Sequence, residues 1–139
     1  MTKIGIVGSR RRNTEEDFKQ CEKIFLSIYK EGDEIISGGC PKGGDEFAFQ
    51  IAKKYGIPIK IYFPNWEKHG KAAGFVRNTK IAEDSHVIIA CAHSDRRGGT
   101  EDTLKKAEKL GKKIIIVPSF EPSPSKISDL NLDISSLLD

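Results

Sequence analysis

The chain has little of what several common protein classes require. Its three cysteines, Cys21, Cys40 and Cys91, are odd in number and far apart, which fits neither a disulfide framework nor a paired zinc-binding motif. His86 and His93 do not have metal-ligand spacing either, so we expect no metal site. No Gly-x-Gly-x-x-Gly fingerprint follows the first strand-like run, so we expect no nicotinamide dinucleotide and no resident cofactor.

Long apolar runs and a secretion signal are also missing. No apolar run approaches the roughly 20 residues needed to cross a bilayer. A strand-like pattern begins at Ile4, which leaves no room for a signal peptide, so we expect a cytoplasmic protein with no membrane partner. The net charge of +3 is too small and too dispersed to indicate nucleic-acid binding by itself. We therefore do not expect nucleic acid to be a partner.

Short runs rich in isoleucine and valine alternate with helix-length segments along the chain. Such runs are typical of strands buried on both faces, and they lie at residues 4–7, 35–36, 57–63, 87–91 and 114–117. The segments between them carry apolar residues at helical spacing, although Gly74 interrupts the third, at roughly residues 72–83. Five strands with helical crossovers predict an α/β fold, a Rossmann-like three-layer sandwich. Its parallel sheet has the order 3-2-1-4-5, with helices on both faces.

One domain is expected over residues 1–118, which is enough chain to bury a core. Residues 119–139 form a tail in which a proline- and serine-rich stretch precedes scattered leucines and isoleucines. The spacing of these apolar residues fits neither a pure helix nor a pure strand. The tail could dock on its own sheet edge or bind a neighbouring subunit, and we expect a homo-oligomer.

The segment from Ser37 to Asp45 is the most informative part of the sequence. It places Gly38, Gly39, Gly43 and Gly44 between a strand-like run and a helix-like pattern. Glycine lets backbone N–H groups approach a ligand closely, and the N-terminus of a helix attracts anions. The segment therefore predicts a phosphate-binding turn, although Gly43 and Gly44 could merely shape the connection.

Two further loops are expected at the same edge of the sheet, at the point where the strand order reverses and doubly wound sheets bind ligands. The loop after the first strand offers an arginine that can grip phosphate through two N–H groups, although the run of three arginines could be a solvated basic surface. The loop after the fourth strand ends in a second glycine turn, whose threonine could bind phosphate or cap the next helix. The candidate ligand-binding residues in these loops are Gly8, Ser9, Arg10, Gly98, Gly99 and Thr100.

Five other polar or aromatic residues are candidates for the same site. Asp45 could accept hydrogen bonds from ribose hydroxyls or could cap the second helix. Trp66, the only tryptophan, could stack on a base or pack as a lid. Arg77, with Asn78 beside it, could reach the same crevice. Glu101 lies in the first turn of the last helix, where the helix dipole alone favours an acid.

Taken together, these motifs resemble the SLOG superfamily, the Rossmann-like group that includes the Smf/DprA proteins and the cytokinin-activating LOG enzymes, and in particular its small YspA-like branch. The resemblance implies binding of a nucleotide or nucleotide-derived ligand, with phosphates held by the glycine turns and Arg77. The matching pieces cover about residues 4–117 in the same order, and they are Gly8, Ser9, Arg10, Gly38, Gly39, Pro41, Gly43, Gly44, Asp45, Asn65, Trp66, Ala73, Gly74, Arg77, Asn78, Gly99 and Thr100.

For the enzymes of the superfamily, the resemblance implies cleavage of the bond between base and ribose phosphate. Those enzymes pair an arginine with a glutamate three residues after the threonine of the Gly-Thr turn, and here Thr103 holds that place. Glu101 and Asp102 are displaced from it, and each residue turns a helical side chain by about 100°. Ligand binding, as a sensor or sequestering module, is therefore our leading interpretation. The alternative is an N-glycosidase of nucleoside monophosphates, with Glu101 or Asp45 as the catalytic carboxylate.

Overall fold

Five parallel strands form the centre of the structure. The computed structural model describes residues 1–40, 43–94 and 98–118. The strand order β3-β2-β1-β4-β5, with every neighbouring pair parallel, confirms the predicted α/β fold. The strands are β1 (Lys3–Gly8), β2 (Glu34–Ser37), β3 (Ile59–Ile61), β4 (Val87–Cys91) and β5 (Lys113–Ile116).

Helices lie between successive strands, as the alternating pattern predicted. The longer ones are α1 (Glu15–Ile28), α2 (Gly44–Tyr55), α4 (Ala73–Asp84) and α5 (Gly99–Lys109). A short helix that was not predicted, α3 (Trp66–His69), follows β3, and one 3₁₀ turn (Gly70–Ala72) joins it to α4. The side chain of Asn65 starts α3 by accepting a hydrogen bond from the Lys68 N–H at 3.0 Å.

The start of α1 is fixed by a reciprocal pair of hydrogen bonds. The Thr14 hydroxyl accepts from the Asp17 N–H at 3.1 Å, and the Asp17 carboxylate accepts from the Thr14 N–H at 3.3 Å. This capping box satisfies two N–H groups that would otherwise lack partners at the helix end. It also fixes the path of the loop that connects β1 to α1.

Two apolar clusters cover the two faces of the sheet. Consecutive residues of β4 belong to opposite clusters, Ile88 to one and Ile89 to the other, as the alternation of side chains along a strand requires. The first cluster joins the sheet to α1 and α2 through Phe25, Phe47 and Ile51, among others. The second joins it to α4 and α5, so the sheet is the middle of three layers.

The three thiols are free cysteines in different surroundings. Cys21 and Cys91 are buried in the first apolar cluster, and burial raises the pKa of the Cys91 thiol to about 12 and that of Cys21 further still. Cys40 is only partly buried, in the loop after β2. Buried thiols with raised pKa values are chemically inert, so Cys21 and Cys91 serve as packing residues.

Some predictions fall on parts of the chain outside the described residues. These are the tail at 119–139, from which we expected a homo-oligomer, and Pro41 of the first glycine-rich loop. The domain boundary at residue 118 stays a prediction. Within the described ranges, no helix has the length and apolar character needed to cross a membrane.

Candidate functional site

A cavity of about 770 Å³ lies at the carboxyl ends of the strands, next to β1, where the strand order reverses. The loops after β1, β2 and β3, the middle of α4 and the N-terminus of α5 contribute to its wall, so the structure brings the predicted loops together. The lining residues are Val7, Gly8, Ser9, Arg10, Arg11, Gly38, Gly39, Cys40, Asp45, Pro64, Trp66, Arg77, Asn78, Ile81, Gly98, Gly99, Thr100 and Thr103.

Three of the residues proposed from the sequence are not part of this lining: Gly43, Gly44 and Glu101. All the other candidate residues line the cavity. The lining also includes residues that the sequence analysis did not single out, among them Pro64 and Ile81. Apolar residues of this kind carry no local signal for a site, because they look like any other core residue in the sequence.

Gly43 and Gly44 bring the β2–α2 loop against β1. A Cβ at Gly44 would lie 2.2 Å from the Val7 carbonyl carbon, and one at Gly43 would lie 2.3 Å from the Ser9 carbonyl oxygen. Gly43 also has a φ of 76°, and its N–H donates to the Asn13 side chain at 2.9 Å. The geometry therefore gives these two glycines a packing role behind the cavity wall.

Arg77, Asp45 and Gly38 meet at one wall of the cavity. The Arg77 Nη1 group donates to the Gly38 carbonyl at 2.6 Å, and the Asp45 carboxylate accepts from the Cys40 N–H at 3.0 Å. A Cβ at Gly38 would lie 2.8 Å from Arg77 Nη1 and 2.9 Å from Asp45 Oδ2. Only glycine at this position lets both charged groups approach the loop so closely.

Asp45 does not cap α2, because Gly43 holds the N-cap position and makes no side-chain capping bond. Its carboxylate instead holds the glycine-rich loop. Burial raises the pKa of Asp45, while hydrogen bonding from the Cys40 and Gly38 backbone and the charge of Arg77 act in the opposite direction. Burial is the largest of these effects, so the pKa of Asp45 lies above its usual value of 3.8.

The three consecutive arginines have different roles. Arg10 is exposed and lines the cavity, whereas Arg12 is buried and forms an ion pair with Asp17 at 2.9 Å. The Arg12 guanidinium also donates to the carbonyl groups of Ala92, Val117 and Pro118 at 3.2, 2.8 and 2.6 Å. Arg12 is therefore a structural residue at the ends of β4 and β5, and the solvated-run interpretation is wrong for it.

Asn78 connects Arg77 to the first turn of α5. It accepts a hydrogen bond from Arg77 Nε at 3.0 Å and donates to the Gly99 carbonyl at 3.2 Å and to Asp102 Oδ2 at 3.1 Å. Thr100 does not cap α5, because Gly98 is the N-cap residue and makes no side-chain capping bond. The N-terminal N–H groups of α5 therefore adjoin the cavity without a side-chain cap.

The carboxylates are arranged differently from those expected of a LOG-like hydrolase. Thr103, at the position where the resemblance implies a glutamate, is buried and donates its hydroxyl to the Gly99 carbonyl at 3.2 Å. Among the described residues that line the cavity, the one carboxylate is that of Asp45. The structure thus places Asp45, and not Glu101, at the candidate site.

One exposed aromatic side chain lines the cavity, and a second lies against a glycine of its wall. Trp66 lines it and remains 60% exposed, so it is not a packed lid. Phe63 is 69% exposed, and its ring lies against Gly39, where a Cβ would be 2.7 Å from Phe63 Cε1. Phe63 was missed in the sequence because it closely follows an apolar strand and reads as part of it.

Comparison with known proteins gives relatives at low sequence identity. No family model matches the chain. The gene 61 protein of Mycobacterium phage D29 is 27% identical over 123 residues, which are 83% of this chain and 95% of that protein. Among solved structures, the molybdenum cofactor binding protein of Rippkaea orientalis is 24% identical with a TM-score of 0.65, and the match covers 96% of each chain.

Two DNA processing proteins, both DprA, have the same fold. The Streptococcus pneumoniae protein matches 98% of this chain with a TM-score of 0.72 at 19% identity, and the Helicobacter pylori protein matches 95% with a TM-score of 0.69, also at 19% identity. The chain spans 56% and 72% of these proteins, respectively. The chain therefore has the same fold as DprA, a member of the group named in the resemblance. The resemblance predicted from the sequence is confirmed at this level, while membership of the YspA-like branch stays a prediction.

One expectation about partners needs correction. The net charge led us to exclude nucleic acid, but the Helicobacter pylori DprA structure is described by its single-stranded DNA binding mode. A protein of this fold can therefore bind single strands, and our expectation was wrong. Net charge is a poor criterion because it averages over the whole surface and does not show that Arg10, Arg11 and Arg77 line one cavity.

Proposed function

We propose that the protein binds a nucleotide or nucleotide-derived ligand in this cavity, as a sensor or sequestering module. The observation that carries the proposal is the meeting of Arg77, the glycine-rich loop and the N-terminus of α5 at one wall. An arginine fork and the N–H groups at a helix N-terminus are both well suited to binding phosphate.

The balance of charge at the cavity favours an anion. Among the described lining residues, Arg10, Arg11 and Arg77 stand against the single carboxylate of Asp45. Arg77 uses Nε and one Nη1 hydrogen for Asn78 and Gly38, and its Nη2 group has no partner among the described residues. These remaining donors suit the oxygens of a phosphate group.

A nucleotide also needs a surface on which its planar base can lie, and the edge of the cavity offers one. Trp66 offers an exposed indole next to Pro64, and an aromatic ring of this kind stacks on a nucleobase. A cavity of about 770 Å³ also falls in the range of small-molecule sites, about 300–1,000 Å³. Phosphate at the Arg77 wall and base at Trp66 is the arrangement that we propose.

Thermal unfolding with a panel of ligands tests the proposal. The panel is nucleoside monophosphates, the matching nucleosides, ADP-ribose and cyclic nucleotides. A ligand at a hundredfold excess over its Kd adds about 2.7 kcal/mol to the free energy of unfolding, which at this length raises Tm by about ten degrees. Arg77→Ala should greatly reduce the shift, whereas Lys80→Ala, at an exposed position on the same helix, should leave it unchanged. If no member of the panel moves Tm, the proposal fails.

The same samples distinguish binding from hydrolysis. In the alternative function, an N-glycosidase, Asp45 would be the catalytic carboxylate, since it lines the cavity and Glu101 does not. Chromatography of the ligand after incubation would then reveal free base, and Asp45→Asn would prevent its release. Recovery of intact ligand with a raised Tm would support binding alone.

A second candidate function is binding of single-stranded nucleic acid. The exposed ring of Trp66 lines the same cavity as Arg10, and the exposed ring of Phe63 lies against Gly39 in its wall. These features favour it, because single strands bind by stacking on aromatic side chains next to cations. Fluorescence anisotropy with a labelled oligothymidine should then show salt-dependent binding. Trp66→Ala should weaken that binding by about 1–3 kcal/mol. Phe49→Ala, an exposed phenylalanine on α2 outside the lining, should leave it unchanged. If the affinity for oligothymidine changed neither with salt concentration nor in Trp66→Ala, this candidate function would be ruled out.

A further inference from the structure

We propose that Asn78 is a positioning residue, which acts on the ligand through the guanidinium of Arg77. The proposal rests on the proposed function, because it concerns how the same cavity is prepared for an anion. From the sequence, Asn78 was a candidate ligand contact beside Arg77. The structure gives its side chain a different set of partners.

Both ends of the Asn78 amide bond to protein groups. Its oxygen accepts from Arg77 Nε, and its nitrogen donates to the Gly99 carbonyl and to Asp102 Oδ2. An asparagine amide has two N–H donors, and both are taken here. The reverse orientation would set the amide oxygen against a carbonyl and a carboxylate, so the network fixes which way the amide points. Because Asn78 is only 6% exposed, little of it remains to contact a ligand.

The contact with Arg77 is unusual for neighbours on a helix. Adjacent residues on α4 point about 100° apart and do not normally face each other. Arg77 therefore has to fold its guanidinium towards Asn78, and a second bond to the Gly38 carbonyl at 2.6 Å holds the other side. Two fixed N–H groups leave a planar guanidinium little freedom to rotate, so its remaining donors face one direction.

Asn78 also links that guanidinium to the second anion-binding element. Gly99 and Asp102 belong to the first turn of α5, and Lys106 steadies Asp102 through an ion pair at 2.9 Å. The arginine and the N-terminus of α5 are thus held at a constant separation. A site organised in advance loses less entropy when it binds, and this is the advantage that we assign to Asn78.

A double-mutant cycle tests the assignment, with adenosine 5′-monophosphate as the probe. Asn78→Ala should weaken its binding about tenfold when Arg77 is present, the usual effect of losing a hydrogen bond to a charged group. In the Arg77→Met background the same change should have almost no effect, because no guanidinium remains to be positioned. Thr79→Ala, which removes a hydroxyl bonded within α4 to the Phe75 carbonyl, is the matched control and should leave affinity unchanged. Equal losses from Asn78→Ala in both backgrounds would show a general structural role and overturn the proposal.

A second measurement needs neither a variant nor a ligand. In the wild-type protein the Arg77 Nε–H should exchange with solvent much more slowly than that of exposed Arg10, as followed by NMR of arginine side chains. Failure of the wild type to bind adenosine 5′-monophosphate would count against that nucleotide as the ligand and not against Asn78. If the Nε–H of Arg77 exchanged as fast as that of Arg10, this result alone would overturn the positioning role.

Discussion

Replacement of Gly44 by alanine should destabilise the protein by forcing α2 away from β1. The added Cβ would lie 2.2 Å from the Val7 carbonyl carbon, 2.3 Å from the Gly8 nitrogen and 2.4 Å from the Val7 oxygen. These are backbone atoms, which cannot rotate away as a side chain can. Restoring an ordinary contact of about 3.5 Å requires a movement of more than about 1 Å.

The cost follows from what α2 buries. Phe47, Ala48 and Ile51 hold this helix in the first apolar cluster, so displacing it opens gaps in a close-packed core. Overpacking of this kind costs about 1–3 kcal/mol, and occasionally more. At this chain length each kcal/mol lowers Tm by about 3–6 °C. We therefore expect Gly44→Ala to lower Tm by about 5–15 °C, with a matching decrease in the urea midpoint.

Gly74→Ala provides a control of the same chemistry with the opposite expectation. Gly74 also lies in the first turn of a helix, but a Cβ there would have nothing within 4 Å. Alanine favours a helix over glycine by up to about 1 kcal/mol, so this variant should be as stable as the wild type or slightly more stable. An unchanged Tm for Gly44→Ala would refute the packing argument, as would equal losses in the two variants.

Two further predictions concern charged groups, and both are measured by urea unfolding. Arg12→Ala should lower the free energy of unfolding by about 3–5 kcal/mol, because it leaves Asp17 buried without its partner. Lys19→Ala, which breaks an exposed pair with Glu15, should lower it by less than about 0.5 kcal/mol. Similar losses in the two variants would contradict the argument. The hydrogen bond from Lys54 is the main reason that the pKa of Glu22 lies below its usual value of 4.5, with burial opposing it and a hydrogen bond from Tyr55 adding to it. A lowered folded-state pKa gives stability that is present above the unfolded-state pKa and is lost as pH falls through the folded-state pKa. Glu22→Gln should therefore be less stable than wild type at pH 7, and the difference should shrink as the pH falls below 4.5. A difference that stays constant from pH 7 to pH 3 would show that the pKa shift contributes nothing.

The order of the sheet could be predicted because short buried runs separated by helices leave few alternatives to right-handed parallel crossovers. The ends of the strands were harder to predict. The run at 57–63 became a strand only at Ile59–Ile61, on the edge of the sheet. Ile57 is buried in the first apolar cluster, and Pro58, which has no N–H, pairs only through its carbonyl with the Ile35 N–H. Apolar character signals burial, but not whether the backbone pairs.

Some residues of the candidate site could likewise be predicted from the sequence, and others could not. Glycine turns and a following helix are local signals, so Gly38 and Gly99 could be assigned to one edge from sequence alone. The roles of Arg10 and Arg12 could not be separated, because they depend on carbonyl groups of Ala92 and Val117, which lie 80 and 105 residues further along the chain. The role of Asn78 likewise depends on partners in α5, which no local pattern reveals.

The unequal surroundings of the three thiols give this protein a natural attachment point for a spectroscopic label. Cys21 and Cys91 are shielded by the core, while Cys40 stands on the wall of the cavity. A maleimide dye or spin probe should therefore react at one position in the native chain, without any cysteine having to be removed. Its signal would report directly on whatever enters beside Arg77.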